Sequence, residues 1–426
     1  MSRVIQLKNG RVIDPAQQRD EVADLWIKDG LIVDHQMIDD HDKDVEVYNL
    51  QGSWVVPGLI DMHVHLREPG EEYKETIETG CRAAAAGGFT AVACMPNTNP
   101  INDSSSVTRF ILEQAVRCAA RVYPVGAISQ ESNGEKLAEY GEMKAAGAVA
   151  LTDDGRPVID SRLMRRAMEY ASSHGLLLMS HAEEIPLSRG GCMNEGEVST
   201  RLGLRGIPAA AESIMVFREI ALAELTGARV HISHVSTEQA IVLIANAKVR
   251  GVKVTAETAP HYFTLTEQAV LGYNTNAKMN PPLRTENDRQ AIRRALADGT
   301  LDAIATDHAP HSVLQKDVEF NLAANGIVGL ETSLSLSLAL VREGIIDPIR
   351  LVQLMSCAPA AILGVAGGSL GIGNVADVTV IDPEKRFTFF AEESYSKGKN
   401  TPFDGWDLQG KAILTILGGR VTHQEL

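Results

Sequence analysis

The sequence predicts an α/β fold: a closed parallel (β/α)8 barrel of the TIM type, joined to a small β-sandwich domain built from both chain ends. Short β-rich apolar runs alternate with helix-patterned stretches, and each run ends in polar residues. Eight alternations favour a closed barrel over an open sheet. The eight runs are VVPGLIDMHVH, FTAVACMPN, RVYPVGAIS, GAVALTDDG, LLLMSHAEE, RVHISHVS, VKVTAETAPHY and DAIATDHAPH.

The stretches between these runs have helical patterns, and several end in the glycine that commonly stops a helix. The predicted helices lie in ETIETGCRAAAAG, SVTRFILEQAVRCAA, GEKLAEYGEMKAAG, SRLMRRAMEYASSHG, AAAESIMVFREIALAELTG, STEQAIVLIANAKVRG and ENDRQAIRRALADG.

The two chain ends have a different pattern from the middle. Residues 1–56 and 368–426 contain short strand-like runs separated by Asn-Gly, Asp-Gly and Gly-Gly turn signals, with little helical periodicity. We expect them to pair as one composite β-domain that covers a catalytic barrel of residues 57–367. No chemistry is assigned to that domain.

Charge and composition exclude some classes of function. The 426 residues carry a formal net charge of -15, whereas nucleic acids and anionic membranes require a basic face. The N-terminus lacks the apolar stretch of a secretory signal, and five cysteines without a CxxC spacing favour reduced thiols. We therefore expect a cytoplasmic protein with a small-molecule substrate. If that substrate is an anion, the site must supply its own positive charge.

Polar residues at the strand ends form a candidate metal site. His63 and His65 are two apart, so an extended segment places both on one face. The carboxyl ends of barrel strands converge on one rim. Imidazole and carboxylate ligands without cysteine fit zinc, and their number exceeds what one tetrahedral ion needs, which predicts two metals sharing a carboxylate. The candidates are His63, His65, Asp153, Asp154, His181, His234 and Asp307.

Some choices stay open at this stage. The pattern shows only that Asp153 and Asp154 point to opposite faces, so either could be the shared carboxylate. Three further histidines lie near the same rim and fit equally well as ligands, as supporting donors or as loop residues: His261, His308 and His311. His231, on a strand of mixed pattern, is set aside.

Six segments resemble the signature motifs of the dihydroorotases of bacterial class I type, in the amidohydrolase superfamily: DMHVHLREPG, MPNTNP, TDDG, ISHVST, MNPPLR and ATDHAPH. The similarity runs from about residue 50 to residue 380. Allantoinase and hydantoinase relatives share the first and last motifs. They typically bridge their metals with a carboxylated lysine after the fourth strand, where this chain has TDDG.

The resemblance implies specific roles. His63, His65 and Asp307 would hold one Zn²⁺, His181 and His234 the other, with Asp154 and a hydroxide as bridges. Arg67, Asn97 and His311 would bind a substrate carboxylate, and Asn280 with the backbone near Asn325 and Gly326 would contact the ring.

The implied activity is that of a zinc-dependent cyclic amide hydrolase. It is the reversible cyclisation of N-carbamoyl-L-aspartate to L-dihydroorotate plus water, in the de novo synthesis of UMP. A zinc-activated bridging hydroxide would attack the ring carbonyl, and Asp307 would act as proton shuttle.

Two alternatives remain at this point. One is a related cyclic amidohydrolase, such as an allantoinase or a dihydropyrimidinase (hydantoinase). The other is a non-catalytic dihydroorotase-like subunit of an aspartate transcarbamoylase assembly. Such subunits tend to have lost metal histidines, and all of these are present here. The expected partners are a second copy of the chain in a homodimer and aspartate transcarbamoylase.

Two local features bear on substrate binding. Arg67 lies two residues beyond His65, so a continuing first strand would point its guanidinium into the pocket, where its planar fork matches a carboxylate. The stretch HAPHSVLQKDVEFNLAANGIVG is long for a barrel loop and predicts a lid. Relatives usually have proline at the position of Ala324, which bears on the rigidity of that lid.

Overall fold

The computed structural model describes residues 4–38 and 45–426, so the parts of the predicted composite domain at 1–3 and 39–44 lie outside the described residues. The strands, in chain order, are β1 (Val4–Asp14), β2 (Arg19–Lys28), β3 (Leu31–Val33), β4 (Val45–Asn49), β5 (Trp54–Pro57), β6 (Leu59–Val64), β7 (Phe89–Cys94), β8 (Arg121–Ala127), β9 (Ala150–Thr152), β10 (Leu177–Ser180), β11 (Met193–Asn194), β12 (Gly206–Ile207), β13 (Val230–Ile232), β14 (Val254–Thr258), β15 (Ala303–Ile304), β16 (Val378–Phe389), β17 (Trp406–Leu417) and β18 (Arg420–Gln424).

The helices of the described chain are α1 (Ile77–Ala86), α2 (Ser105–Ala115), α3 (Tyr140–Ala146), α4 (Ser161–Ser173), α5 (Ile185–Ser188), α6 (Glu197–Leu202), α7 (Ala210–Thr226), α8 (Glu238–Val249), α9 (Pro260–Thr264), α10 (Glu286–Asp298), α11 (Val313–Lys316), α12 (Ser333–Arg342), α13 (Pro348–Val352) and α14 (Ala358–Leu363).

Eight parallel strands form the predicted barrel. Their order is β6-β7-β8-β9-β10-β13-β14-β15. A parallel bridge between Val64 and His308, with the His65 N–H donating to the His308 carbonyl at 2.9 Å, joins the first strand to the chain just beyond the eighth. Because helices cover one face and the barrel interior the other, every residue of β6 and β7 is buried. The prediction of a (β/α)8 barrel is confirmed.

Buried side chains fill the barrel interior. Met62, Val125 and Met179 are fully buried there, and each such side chain stabilises the fold by about 1.5–3 kcal/mol relative to exposure. A larger apolar layer lies between the strands and the surrounding helices. Because apolar side chains occupy the interior, the polar side chains meet at the rim formed by the carboxyl ends of the strands.

The helices begin where their sequences supply caps. Thr76 and Thr285 form capping boxes at the starts of α1 and α10, and the Asp160 carboxylate accepts two backbone N–H groups at the start of α4. The predicted helix in GEKLAEYGEMKAAG is shorter than expected, because only α3 at its C-terminal end is helical.

No helix is predicted after the eighth strand, yet α12 lies there. Its sequence, SLSLSLALVR, alternates serine and leucine with the period of a strand, which hides the helix. The serines are buried as well, and the Ser335 hydroxyl donates to the Gly410 carbonyl at 2.6 Å, so both faces of the pattern pack against protein.

The strands from both termini form a second sheet. Its order is β18-β17-β16-β5-β1-β2-β3, with β4 paired to β1. The N-terminal strand β5 runs antiparallel to β16 from the C-terminal part and so joins the two chain ends. The exact division into residues 1–56 plus 368–426 and 57–367 remains a proposal.

The first predicted strand run is divided between the two sheets. Trp54–Pro57 belongs to the terminal sheet and Leu59–Val64 to the barrel. The break falls at Gly58, where a Cβ atom would lie 2.1 Å from the Thr90 hydroxyl oxygen. Only glycine lets the chain pass between the sheets this close to β7.

Among the described residues, no helix combines the length and apolar character needed to cross a membrane. The five cysteines are all free thiols, as predicted.

Candidate metal centre and substrate pocket

The six residues expected to bind metal meet at the carboxyl-terminal rim of the barrel. None is more than 7% exposed. Two groups of three offer ligand atoms that all lie within 4.8 Å of one another. One group is His63, His65 and Asp307, and the other is His63, Asp154 and His234.

Asp154 lies at the centre of the cluster. Its Oδ1 atom is 3.3 Å from His63 Nε2 and 3.6 Å from both His181 Nδ1 and His234 Nε2. Its Oδ2 atom is 3.6 Å from His65 Nε2. One carboxylate therefore faces four imidazoles, as a bridging ligand must.

The remaining contacts complete two half-sites. Asp307 Oδ1 lies 3.3 Å from His65 Nε2 and 3.6 Å from His63 Nε2. On the other side, His181 Nδ1 and His234 Nε2 are 2.9 Å apart. His65 and Asp307 thus lie together near one oxygen of Asp154, and His181 and His234 lie together near the other.

The spacing tests whether a metal would fit. Two ligands bound 2.0–2.1 Å from a tetrahedral Zn²⁺ lie about 3.3 Å apart. Six nitrogen–oxygen distances in the cluster are 3.3–3.6 Å, which suits ligands of a common ion better than direct hydrogen bonds. His63 Nε2 is buried without a hydrogen-bond partner although it faces two carboxylates. The donor set fits a divalent cation.

The structure separates the two aspartates that the sequence left undecided. Asp154 enters the cluster, whereas Asp153 points away and accepts the backbone N–H groups of Val158 and His181, both at 3.0 Å. Burial raises the pKa of Asp153 to about 6. Asp153 therefore shapes the loop after β9, and Asp154 is the one of the pair that enters the cluster.

Charge in the cluster keeps its carboxylates ionised. Burial alone would raise the pKa of Asp154, but His63, His181 and His234 hold it well below its ordinary value. The pKa of Asp307 is lowered to about 2 against the same effect of burial, chiefly by His63 and His65. Both groups are therefore in the anionic form that ligates cations.

The backbone turns sharply where the strands deliver these side chains. Arg67, His234 and Asp307 have φ values of 62°, 37° and 48°. A left-handed conformation costs a non-glycine residue about 1–2 kcal/mol. Such strain concentrates at functional sites, where the surrounding structure enforces it.

Two carboxylates outside the predicted set orient the ligand histidines. Glu257 Oε1 lies 2.9 Å from His63 Nδ1, and its Oε2 is 3.3 Å from His231 Nε2. Glu183 Oε2 lies 3.0 Å from His181 Nε2. A carboxylate accepts the ring N–H, so in a neutral imidazole each contact leaves the opposite nitrogen as the lone pair that faces the cluster.

The sequence did not predict these supports, and His231, which was set aside as a ligand, contacts Glu257 beneath the cluster. The available signal was Glu257, a fully buried charged residue within the strand VTAET. Charged residues are almost never fully buried unless they are paired.

A cavity of about 260 Å³ opens above the cluster. Its walls include all six residues predicted to bind substrate: Arg67, Asn97, Asn280, His311, Asn325 and Gly326. The cavity therefore combines the two predicted halves of the site.

Arg67 reaches this cavity by a different route from the one expected. Strand β6 ends at Val64, and the left-handed turn at Arg67, not a continuing strand, directs its side chain inward. Its Nε donates to the Pro310 carbonyl at 3.3 Å, and Nη2 lies 3.5 Å from His311 Nε2. No carboxylate of the described residues lies within ion-pair distance of this guanidinium, which is 8% exposed.

The two asparagines are tied to the metal cluster. The Asn97 amide donates to the Asp154 carbonyl at 2.8 Å, and its buried Oδ1 has no partner among the described residues. The Asn280 amide donates to Glu183 at 3.0 Å, so the carboxylate that orients His181 also fixes Asn280.

The three histidines left open take different positions. His311 lines the cavity, and its Nε2 donates to the Asn325 carbonyl at 2.8 Å. His308 lies outside it, 3.3 Å from Glu75, and accepts the Gly329 N–H. Burial lowers the pKa of His261 to about 4, and its ring packs edge-on against Tyr262.

Comparison with known proteins identifies the family. A family model described as dihydro-orotase-like matches residues 52–240. The dihydroorotase of Desulfotalea psychrophila is 67% identical over 420 residues, covering 99% of both chains. The dihydroorotase of Geobacter metallireducens is 55% identical, covering 98% of this chain and 99% of its own.

Solved structures share the fold. The L-hydantoinase (dihydropyrimidinase) of Arthrobacter aurescens superposes with a TM-score of 0.88 at 24% identity, covering 100% of this chain and 96% of that one. The dihydropyrimidinase of Brevibacillus agri gives 0.84, also at 24% identity, covering 100% and 95%.

The full-length dihydroorotase relatives, together with the barrel and the imidazole–carboxylate cluster at its rim, place this chain among the cyclic amide hydrolases. Within that class, the chain belongs to the dihydroorotase family.

Proposed function

We propose that the protein interconverts N-carbamoyl-L-aspartate and L-dihydroorotate in pyrimidine biosynthesis. Arg67 carries the proposal: a buried guanidinium without a carboxylate partner among the described residues lines the same cavity as the cluster. An unpaired buried charge is costly and favours an anionic ligand. Both proposed substrates carry a carboxylate, whereas a neutral ring would leave Arg67 unpaired.

The remaining cavity residues divide between the two ends of the substrate. Arg67, Asn97 and His311 would hold the carboxylate, with the guanidinium making the paired hydrogen bonds. Asn280 and the backbone at Asn325 and Gly326 would contact the ring. What supports this division is that all six line one cavity with the cluster on its floor.

We propose two Zn²⁺ ions per subunit as cofactors. His63, His65 and Asp307 would hold one, and His181 and His234 the other, with Asp154 shared between them. Bound there, the ions would supply a Lewis acid for the ring carbonyl and a water activated for attack at neutral pH.

Asp307 is the proposed proton shuttle. It is ionised and lines the cavity, so its carboxylate can accept a proton from the attacking water and deliver it to the ring nitrogen that leaves. In ring closure the same oxygen would take the proton from that nitrogen.

The test is a dihydroorotate hydrolysis assay on the purified protein, before and after chelation, with metal analysis of the same samples. We expect turnover that is lost on chelation and restored by Zn²⁺, with two ions per chain. Turnover that survives complete metal removal would overturn the metal mechanism. A fully loaded protein that hydrolyses dihydrouracil but not dihydroorotate would overturn the substrate assignment.

We further propose a cytoplasmic homodimer that associates with aspartate transcarbamoylase. The relatives named above are dihydroorotases over their full length, which is compatible with both. Light scattering of the protein alone and mixed with the transcarbamoylase checks the two states. A monomer in both samples would refute them.

A further inference from the structure

The long loop after the eighth strand holds its shape through two buried ammonium groups. We call residues 312–326 the lid. Lys316, in helix α11 within the lid, donates from Nζ to the carbonyls of Ala324 at 2.8 Å and Gly326 at 3.1 Å. Lys278, outside the lid, donates to those of Asn321 at 3.1 Å and Ala323 at 2.6 Å. Four carbonyls within six residues therefore accept from two lysines.

Both lysines are in surroundings that disfavour a charged group. Lys278 is 5% exposed and Lys316 is 4% exposed. Within the described chain, neither lies within ion-pair distance of a carboxylate. Burial, and next the neighbouring Lys278, lowers the pKa of Lys316 to about 7. An ammonium is strongly hydrated, so burying two of them is costly. Their hydrogen bonds to carbonyls of this one loop offset that cost.

These contacts hold the part of the lid that reaches the cavity. The Gly326 N–H donates to the Lys278 carbonyl at 2.9 Å, and the Gly326 carbonyl also accepts from the Asn400 amide at 3.0 Å. A Cβ atom on Gly326 would lie 2.5 Å from the Ala309 carbonyl oxygen. The lid therefore packs directly against the chain that leaves the eighth strand.

The departure at Ala324 fits the same arrangement. Its N–H donates to the Gln315 carbonyl at 2.9 Å, a bond that proline could not make. Ala324 is thus fixed through its carbonyl by Lys316 and through its N–H by the neighbouring residue. In this chain, hydrogen bonds fix the backbone at residue 324, whereas a proline there would restrict it through its pyrrolidine ring.

We propose that Lys278 and Lys316 are positioning residues that latch the lid over the cavity, so that the backbone at Asn325 and Gly326 meets the substrate ring. The latch itself is independent of the reaction. Its consequence for substrate affinity rests on the proposed function.

The test compares Lys316→Met and Lys278→Met, which keep the length of the side chain and remove its charge, with wild type. Lys385→Met serves as the matched control, because Lys385 bonds to Glu425 in the terminal sheet. Hydrogen exchange is followed on peptides from the lid and from strand β10 in zinc-loaded protein without substrate. Losing two hydrogen bonds to a charged donor should speed lid exchange about tenfold or more and leave β10 unchanged.

Kinetics then tests what the latch does. We expect KM for dihydroorotate to rise about tenfold in both variants, with kcat within about twofold, because the lid orders the binding wall and not the metal cluster. Lys316→Arg, which keeps the charge, should recover part of the affinity. The Lys385 control should match wild type in both measurements.

Unchanged lid exchange in both Met variants would overturn the latch, and faster exchange with unchanged KM would overturn its positioning role. If the Met variants fail to fold, the same comparison is made with Lys278→Gln and Lys316→Gln, whose shorter neutral side chains cannot make both carbonyl contacts. Absence of dihydroorotate turnover in wild type would instead refute the proposed function, and lid exchange would still decide on the latch.

Discussion

On the floor of the cavity, carboxylates and imidazoles lie against one another, whereas at the lid two ammonium groups, from Lys316 within it and Lys278 outside it, are buried against its carbonyl oxygens. The floor residues project from strand ends fixed by the barrel, and the opposite charges around Asp154 keep that carboxylate ionised. The lid carbonyls instead accept hydrogen bonds from Lys278 and Lys316. In the proposed function the two regions have separate tasks: the floor sets the chemistry, and the lid sets how the substrate is held.

The largest expected effect lies on the floor. Asp307→Asn keeps the size of the side chain but removes the proton acceptor, so kcat should fall about 10²–10⁴-fold. Steady-state hydrolysis of dihydroorotate measures this, with zinc content determined on the same preparation.

Asp377→Asn is the matched control for that variant, since Asp377 is also a buried carboxylate but pairs with Arg121 at the terminal sheet. Its kcat should stay near that of wild type. An Asp307 variant with full zinc content and nearly normal kcat would show that the proton moves through another group.

The next largest effect is expected at Arg67, which lines the side of the cavity. Arg67→Met should lower kcat/KM for dihydroorotate about 10²–10³-fold, because two hydrogen bonds between charged groups are lost. Slow hydrolysis of dihydrouracil, which has no carboxylate, should change little. Both substrates are assayed with each variant.

Arg67→Lys sharpens that test, since it keeps the charge and loses the planar fork. We expect a loss between those of wild type and the Met variant. Equal losses for the acidic and the neutral ring would mean that Arg67 supports the fold of the cavity and does not recognise the carboxylate.

The floor could be predicted from sequence to a greater extent than the lid, for a topological reason. The ends of parallel strands in a closed barrel must converge, so His63, His181 and Asp307 could be assigned to one site although they are far apart in the chain. Choosing between Asp153 and Asp154 needed the family resemblance, because alternation shows only that they face opposite ways.

Features that depend on the course of the backbone were not visible in the pattern. The left-handed turn that aims Arg67, the division of the first strand run at Gly58 and the helix hidden in SLSLSLALVR follow from tertiary packing. The lysine latch is of the same kind, since nothing in a sequence marks which carbonyl oxygens a lysine will reach.

A moderate effect on zinc affinity is expected for the carboxylates that contact the ligand histidines. Glu257→Gln removes the charge that holds the His63 N–H, so the affinity for zinc should fall about 10–100-fold. Competition with a chromophoric chelator measures this without any turnover. Glu183→Gln makes the same test through His181, and zinc affinity unchanged in both would mean that the ligand histidines are held by the barrel alone.

The smallest expected effect is the response of the lid to pH. The pKa of Lys316 is lowered from 10.5 to about 7 by burial, so its charge is present below pH 7 and is lost as pH rises toward 8. The rate of lid exchange should therefore rise a few-fold over this range, after the intrinsic pH dependence of exchange is subtracted.

The free energy of unfolding should change in the opposite direction. Between pH 7 and 10.5 the unfolded chain binds this proton and the folded chain does not, so the contribution of Lys316 to the free energy of unfolding rises with pH. Other charged groups face the same region, namely Lys278, His311, Asp317, Glu392, Lys399 and Asp404.

Lys316→Arg isolates the contribution of Lys316 to the pH dependence, because a guanidinium stays protonated throughout. Lid exchange in wild type that depends on pH no more than in this variant would show that the carbonyl contacts keep Lys316 charged, and the difference between floor and lid would then be one of geometry alone.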